Sequence, residues 1–214
     1  ISMILQDPMA SLDPMFTIFD QVAEPAYYHR GLRGRRLAEE VADLLRRVRI
    51  PSPEQRMRDY PHQMSGGQRQ RVAGAAALAG RPKLIIADEP LSSLDISVQT
   101  QLLDLMAELK QQTNIGLLII SHDLGAVASI ADRVAVMYLG QIVEIGARIL
   151  HAPRHPYTQT LIDAKLIADP RRARARQRIA LPIDSKPPTE RLGCLFRHRC
   201  PHPGPRCATV TPVL

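Results

Sequence analysis

The hydrophobic and polar positions of the chain change period several times between its first residue and its last. From Ser2 a short apolar run ends in Gln6-Asp7-Pro8, which predicts a strand entering a loop punctuated by Pro8, Asp13 and Pro14. Thr17 occupies the place of a helix N-cap. Between Thr17 and Ile50 the apolar positions Leu37, Val41, Leu44, Leu45 and Val48 recur at spacings of three and four, with Arg and Glu on the other face. This predicts an amphipathic helical region without strands. Pro51, Pro53 and Pro61 interrupt it before Ser65-Gly66-Gly67-Gln68, after which Gln70 to Leu78 predicts an alanine-rich helix.

Beyond that point continuous apolar runs alternate with helical periods. Lys83 to Ala87 is apolar and closes on Asp88-Glu89-Pro90, the composition of a strand buried on both faces. Ser97 to Gln112 predicts a helix with Val98, Leu102, Leu105 and Leu109 on one side. Gly116 to Ser121 predicts a second buried strand, Leu124 to Ala131 a short helix, and Arg133 to Tyr138 a third strand. Strand, helix, strand, helix, strand at these lengths predicts a parallel sheet with right-handed crossovers. Tyr138-Leu139-Gly140-Gln141 predicts a turn that starts a hairpin strand through Ile145. After Gly146 proline becomes frequent, and the segment is expected to be an appended module or linker.

With 45% hydrophobic and 23% charged residues, disorder is excluded as the dominant state. The longest clean apolar stretch, Ile115 to Ile120, is far short of the roughly 18 residues of a membrane-spanning helix. The net charge of +7 is a property of the end of the chain. Residues 1 to 164 hold 17 basic and 18 acidic side chains, whereas residues 165 to 214 hold 11 and 3. A nucleic-acid surface spread over the whole protein is therefore not expected. Arg171 to Arg178 is a basic run whose composition fits a solvated linker better than a lipid or RNA contact. The chain opens with Ile1 inside an apolar run and shows no leader pattern, which reads as a fragment. Cys194, Cys200 and Cys207 all fall near the end, unlike the distributed cysteines of a disulfide-built domain, and a reducing, cytoplasmic setting is expected.

In a parallel sheet, ligands bind beyond the carboxyl ends of the strands. The predicted strands end in Gln6, in Asp88-Glu89 and in Ser121-His122. Asp88 has the chemistry to meet a hydrated Mg²⁺, and Glu89 that to polarise a water attacking a phosphoryl group. His122 can bond a terminal phosphate, and Gln6 the metal or the water. Each of these, taken singly, is equally a capped or solvated strand-end group. Ser65 followed by Gly66 and Gly67 lets backbone N–H groups at a helix start approach a phosphate closely, although serine and glycine are common there.

The order of these elements is more specific than any one of them. "MILQDPMASLDP" around Gln6, "QMSGGQRQRV" at Gln63 to Val72, "LIIADEP" at Leu84 to Pro90, "SSLD" at Ser92 to Asp95 and "LLIISHD" at Leu117 to Asp123 together resemble the ATP-binding subunit of ABC transporters. The resemblance covers residues 1 to 150. It implies an α/β P-loop NTPase-like nucleotide-binding domain, N-terminally truncated, with a mainly parallel sheet, a helical subdomain at about residues 17 to 80 and a C-terminal extension at 151 to 214. It further implies Gln6 as the Q-loop glutamine, Ser65, Gly66, Gly67 and Gln68 as the signature, Asp88 as the Walker B aspartate, Glu89 as the catalytic glutamate, Asp95 as the end of the D-loop and His122 as the H-loop histidine. ATP and Mg²⁺ are the implied substrate and cofactor. Two such subunits are implied to sandwich ATP, the signature of one facing the Walker A loop of the other, with the helical subdomain docking on membrane permease subunits. No Gly-x-x-x-x-Gly-Lys-Ser/Thr occurs in the chain, so the chain alone is expected not to bind ATP measurably. Met64 stands where the family signature usually begins with Leu, and Ala76 where an Arg is usual.

"HAPRHPYTQTL" at His151 to Leu161 and "GCLFRHRCPHPGPRC" at Gly193 to Cys207 resemble the C-terminal extension of oligopeptide, dipeptide and nickel importers. The implied function is an ATPase that energises import of short peptides, or of nickel and related solutes, with a solute-binding protein as an indirect partner, at the cytoplasmic face of the inner membrane. The spacing of Cys194, Cys200 and Cys207 suits an iron–sulfur cluster or, less well, zinc, and equally three reduced thiols; the resemblance implies that such a cluster would be 4Fe–4S. His198 and His202 are poor substitutes for a fourth cysteine. An ABC-type ATPase acting on nucleic acid is an alternative, but the 58 residues between Gln6 and Ser65 leave no room for the insertions such proteins carry. A non-catalytic regulatory domain is a further one, disfavoured by the presence of both Glu89 and His122.

Overall fold

The computed structural model describes residues 1–7, 11–92, 94–164 and 192–211, so the basic run Arg171 to Arg178 lies outside the described residues. The chain divides into two compact units, Ile1–Ala126 and Val127–Leu214.

In the first unit, β1 (Ser2–Ile4) leads through a loop to α1 (Ile18–Arg30) and α2 (Gly34–Arg47). Thr17 caps α1 as its chemistry predicts: its hydroxyl accepts the N–H of Asp20 at 3.2 Å, and the Asp20 carboxylate accepts the N–H of Thr17 at 3.1 Å. A single turn, α3 (Pro53–Arg56), precedes α4 (Gly66–Ala79). These helices bury Ile18, Val22, Val41, Leu45, Val72 and Ala79 against one another, the apolar stripes anticipated from their spacing. Arg30 braces the bundle by donating to Glu40 on α2 at 2.5 Å and to the Ala79 carbonyl at the end of α4 at 3.1 Å. That hydrogen bond and the arginine's charge outweigh burial and hold the Glu40 carboxyl below its ordinary range.

The chain then forms β2 (Leu84–Asp88), α5 (Ile96–Thr113) and β3 (Gly116–Ile120). The three strands are parallel in the order β1-β2-β3, with Ile4 beside Ala87 and Asp88 beside Ile120. All three carboxyl ends therefore emerge at one edge. Ile4, Ile85 and Ala87 are buried on one face, but Met3, Leu118 and Ile120 on the other are about half exposed. The expectation that Gly116 to Ser121 is buried on both faces is thus corrected: an unbroken apolar run does not say which of its alternate side chains are covered.

The short helix α6 (Leu124–Ile130) carries the chain into the second unit, where β4 (Val134–Tyr138) and β5 (Gln141–Gly146) form a two-stranded sheet. The expectation that Arg133 to Tyr138 joins the parallel sheet is corrected: among the described residues β4 pairs only with β5, in the antiparallel hairpin the turn predicts, Tyr138 beside Gln141. The reason is the two-residue connection. Leu139 and Gly140 both adopt positive φ, 47° and 82°, the turn whose twist matches an antiparallel hairpin. Closing so short a loop also costs far less entropy than a distant pairing. A further helix, α7 (Pro156–Ala164), begins within the His155-Pro156-Tyr157-Thr158 element.

Candidate active site at the strand ends

Because β1, β2 and β3 are parallel and in register, the residues that follow them meet. Gln6, two residues past β1, donates from Nε2 to Glu89 Oε2 at 2.9 Å. His122, two residues past β3, places Nδ1 3.2 Å from Glu89 Oε1 and donates to it when the ring proton is on that nitrogen. Glu89 is thereby held at both carboxylate oxygens, with 28% of its side chain exposed against 75% for His122. Asp88 ends β2 immediately before it and is half-buried.

The Glu89 backbone is unusual. Its φ is 42°, in the left-handed region, and Pro90 follows. A non-glycine residue there is disfavoured, the more so before proline. The surroundings compensate: its N–H donates to the Ile120 carbonyl at 2.9 Å, and its carbonyl accepts the Ser92 N–H at 3.2 Å and hydroxyl at 3.1 Å. Such local strain is found where a fold over-determines the position of a functional group.

Ser65 and Gln68 close a capping box at the start of α4: Ser65 Oγ accepts the Gln68 N–H at 3.3 Å and Gln68 Oε1 the Ser65 N–H at 3.0 Å. Gly66 and Gly67 contribute first-turn N–H groups that have no partner within a helix. The glycines also have a packing reason that spacing alone does not give. A Cβ on Gly67 would lie 2.7 Å from Val98 Cγ1, and one on Gly66 4.0 Å from Leu94 Cδ2. The Ser65–Gln68 turn therefore sits directly against Leu94 and Val98, which follow Glu89. Asp95 is the N-cap residue of α5 and is exposed, but its side chain makes no capping bond.

Two participants have roles that the motif reading did not give. One is Ser92, quoted there only as the first residue of "SSLD", which binds the Glu89 carbonyl. The other is Gln99, whose Nε2 donates to the Leu91 carbonyl at 3.0 Å and the Leu94 carbonyl at 2.9 Å. The available signal for Gln99 was a polar residue between Val98 and Leu102, near the apolar stripe of its helix.

In the second unit the Glu144 carboxylate is buried beneath β5 and accepts the N–H groups of Arg154 at 2.8 Å and His155 at 3.1 Å. His155 Nδ1 in turn accepts the Tyr157 N–H at 3.1 Å. Phe196, fully buried, meets Tyr138, Tyr157 and His155 with ring centroids 5.2 to 5.5 Å apart. Thus the His-Pro-Tyr element anchors the cysteine loop. Cys194 donates its N–H to the Cys207 carbonyl at 2.9 Å, while the sulfurs of Cys200 and Cys207 accept backbone N–H groups of His202 and Gly204, each at 3.4 Å. Among the described residues, however, no three His, Cys, Asp or Glu side chains gather as a metal-ligand set. Cys194, Cys200 and Cys207 do not converge as a cluster would require, and the iron–sulfur expectation finds no support.

The strand-end carboxylate is thus clamped between a glutamine and a histidine, and a Ser-Gly-Gly-Gln helix start packs against the loop and helix that follow it. Residues 1–92 match the family model described as ABC transporter. Residues 143–207 match the family model described as oligopeptide/dipeptide transporter, C-terminal region. The dipeptide transport ATP-binding protein DppD of Escherichia coli (strain K12) is 45% identical over 218 residues, covering 100% of this chain and 65% of that protein. DppD of Bacillus subtilis (strain 168) is 43% identical over 217 residues, covering 99% and 63%. The chain thus spans somewhat less than two thirds of these relatives. Among solved structures, the cassette MJ0796 in a dimeric post-hydrolysis state bound to ADP and Pi aligns with TM-score 0.59 and 25% identity, covering 68% of this chain and 62% of that one. cbiO1 of Clostridium perfringens, part of the cbiONQ ABC transporter complex, aligns with TM-score 0.61 and 28% identity, covering 69% and 57%.

Proposed function

We propose that, in its full-length protein, this chain supplies the hydrolytic half-site of an ATPase that energises import of short peptides, with nickel and related small solutes as neighbouring cargo classes. The observation that carries the reading is the clamp on Glu89. A carboxylate fixed at both oxygens by Gln6 and His122 has little freedom to swing, so a water bound to it is aimed. In hydrolysis that water's oxygen bonds to the terminal phosphorus, the bond to the departing ADP oxygen breaks, and Glu89 takes the water's proton. His122 bonds the terminal phosphate. With its amide nitrogen turned to Glu89, Gln6 keeps Oε1 for a cation, and together with the Asp88 carboxylate offers the hard oxygen donors that suit Mg²⁺. Bound Mg²⁺ supplies neutralisation of charge on the phosphates.

Ser65, Gly66, Gly67 and Gln68 are assigned to the nucleotide held by a second ATPase subunit, identical or related, and Asp95 to the same interface. Closure of that pair then adds helix-start dipoles to the phosphate and couples hydrolysis to movement. We assign residues 1–150 to the cassette and 151–214 to the importer-type extension. A groove of about 750 Å³ in the first unit, lined by Leu5, Phe16, Phe19, Tyr28 and Ala76, is the surface assigned to membrane permease subunits, which a solute-binding protein would serve from the other side. No helix among the described residues is long and apolar enough to cross a membrane. The location we assign is peripheral, at the cytoplasmic face of the inner membrane. The matched models and relatives are transporter proteins, which leaves the nucleic-acid alternative without support.

The test is ATP turnover by the full-length protein assembled with its permease subunits in lipid vesicles. Stimulation by a short peptide and its binding protein is expected. Glu89→Gln should lower turnover by about a hundredfold or more while ATP stays bound. Turnover close to that of the unaltered complex would refute Glu89 as the base.

A further inference from the structure

We infer that Gln99 is a positioning residue for hydrolysis, holding the Leu91 and Leu94 carbonyls, and with them Ser92, where they serve both Glu89 and the Ser65–Gln68 turn; this rests on the ATPase reading above. Its amide reaches back from the second turn of α5 and donates to two loop carbonyls, Leu91 at 3.0 Å and Leu94 at 2.9 Å. A helix cap would instead satisfy N–H groups of the first turn, so these bonds serve the loop and not the helix. The Asp95 side chain makes no capping bond, and no cap of its own fixes the start of α5.

The loop is tied to the chemistry at both ends. Toward β2, Ser92 binds the Glu89 carbonyl through its N–H and its hydroxyl, and the Leu94 N–H donates to the Leu91 carbonyl at 3.2 Å. The Glu89 peptide is the strained one, so it depends on these bonds to keep its side chain between Gln6 and His122. Toward α4, the residue before Gln99 is Val98, against which Gly67 packs without room for a Cβ, and Leu94 faces Gly66. One side-chain amide thus fixes the relative placement of the carboxylate that activates water and of the helix start that meets phosphate. Removing the donor takes the Gln99 bond from the Leu94 carbonyl and leaves the Leu91 carbonyl only the Leu94 N–H, which frees Ser92 to move away from Glu89.

The experiment uses the full-length protein in its permease complex with MgATP as the probe. Gln99→Leu removes the donor at similar volume, and Gln99→Glu keeps the shape but turns an oxygen toward two carbonyls; Gln99→Met replaces the first should it impair folding. The expected result is a kcat about tenfold lower, with KM for ATP within about twofold of the unaltered protein, and a larger loss for Gln99→Glu. Amide hydrogen exchange at Ser92 and Leu94 should quicken by about tenfold in the same variants. Unchanged kcat, or a rise in KM with kcat preserved, would overturn the inference. So would unchanged exchange at Ser92 and Leu94, a result independent of turnover. Absence of ATP turnover in the unaltered complex would instead sink the ATPase reading itself.

Discussion

Glu89 combines an unfavourable backbone with a fully engaged side chain, and the two have opposite consequences. Its φ of 42° before Pro90 is a conformation that glycine adopts freely, whereas its carboxylate is bonded by Gln6 and His122. Glu89→Gly should therefore relieve strain, making the protein about 1 kcal/mol more stable in urea unfolding, while abolishing turnover. A variant less stable than the parent would show that the carboxylate bonds, and not the backbone, dominate at this position. His122 presents a different balance. With three quarters of its side chain exposed, it contributes little packing, so His122→Ala should leave the unfolding midpoint within about 0.5 kcal/mol of the parent. Its turnover should fall by about a hundredfold, since an oriented donor to developing charge is lost. Equal turnover in single-cycle kinetics would remove His122 from the site.

At the scale of elements, the contact between α4 and α5 decides how far the Ser65–Gln68 turn can change. A Cβ at Gly67 would overlap Val98 Cγ1, so Gly67→Ala should destabilise by about 1–3 kcal/mol, and adding Val98→Ala should restore most of it. Failure of the double variant to recover stability would mean that backbone freedom, not space, requires the glycine. Ser65→Ala should cost about 1 kcal/mol through loss of the cap, read by the same unfolding measurement. The caps Thr17 and Ser65 and the strand ends Asp88 and His122 were legible in the sequence because each depends on a few neighbouring residues. The hairpin of β4 with β5 was legible too, through the turn Leu139-Gly140, but that β4 stands outside the parallel sheet was not. Local conformation was readable; membership of the sheet was a competition between a near strand and a distant sheet. The open face of β3 was hidden for a related reason, since Leu118 and Ile120 look the same in sequence whether covered or exposed. Gln99 was hidden because its partners are backbone carbonyls, which leave no mark on composition.

Across the molecule the two units carry different acid-sensitive groups, and their stabilities should separate as pH falls. In the second unit, burial depresses His155 below its usual value of 6.5, partly opposed by the Glu144 charge. Glu144 itself is pushed up by burial, but hydrogen bonds from the N–H groups of Arg154 and His155, with the charge of His155, bring it below its usual 4.5. A depressed folded-state pKa means that the unfolded chain takes up the proton first. Stability from such a group is complete above the unfolded value and is lost as pH falls through the folded one. The second unit should thus weaken below pH 6.5 as His155 titrates and again below 4.5 with Glu144, whereas Glu40 in the first unit, held down by Arg30, brings loss only below 4.5. Urea titrations at a series of pH values, read unit by unit through peptide-resolved hydrogen exchange, should show the aromatic cluster of Tyr138, Tyr157 and Phe196 loosening first. His155→Asn isolates the cause. Its side-chain oxygen can still accept the Tyr157 N–H two residues on, as the imidazole nitrogen does, but it does not titrate in this range. The variant should start from a lower stability, having lost the ring contact with Phe196, and show a flat profile between pH 8 and the carboxylate region. If the second unit of the variant still weakened below pH 6.5, the step would belong to another group, and the burial of His155 would have no part in it.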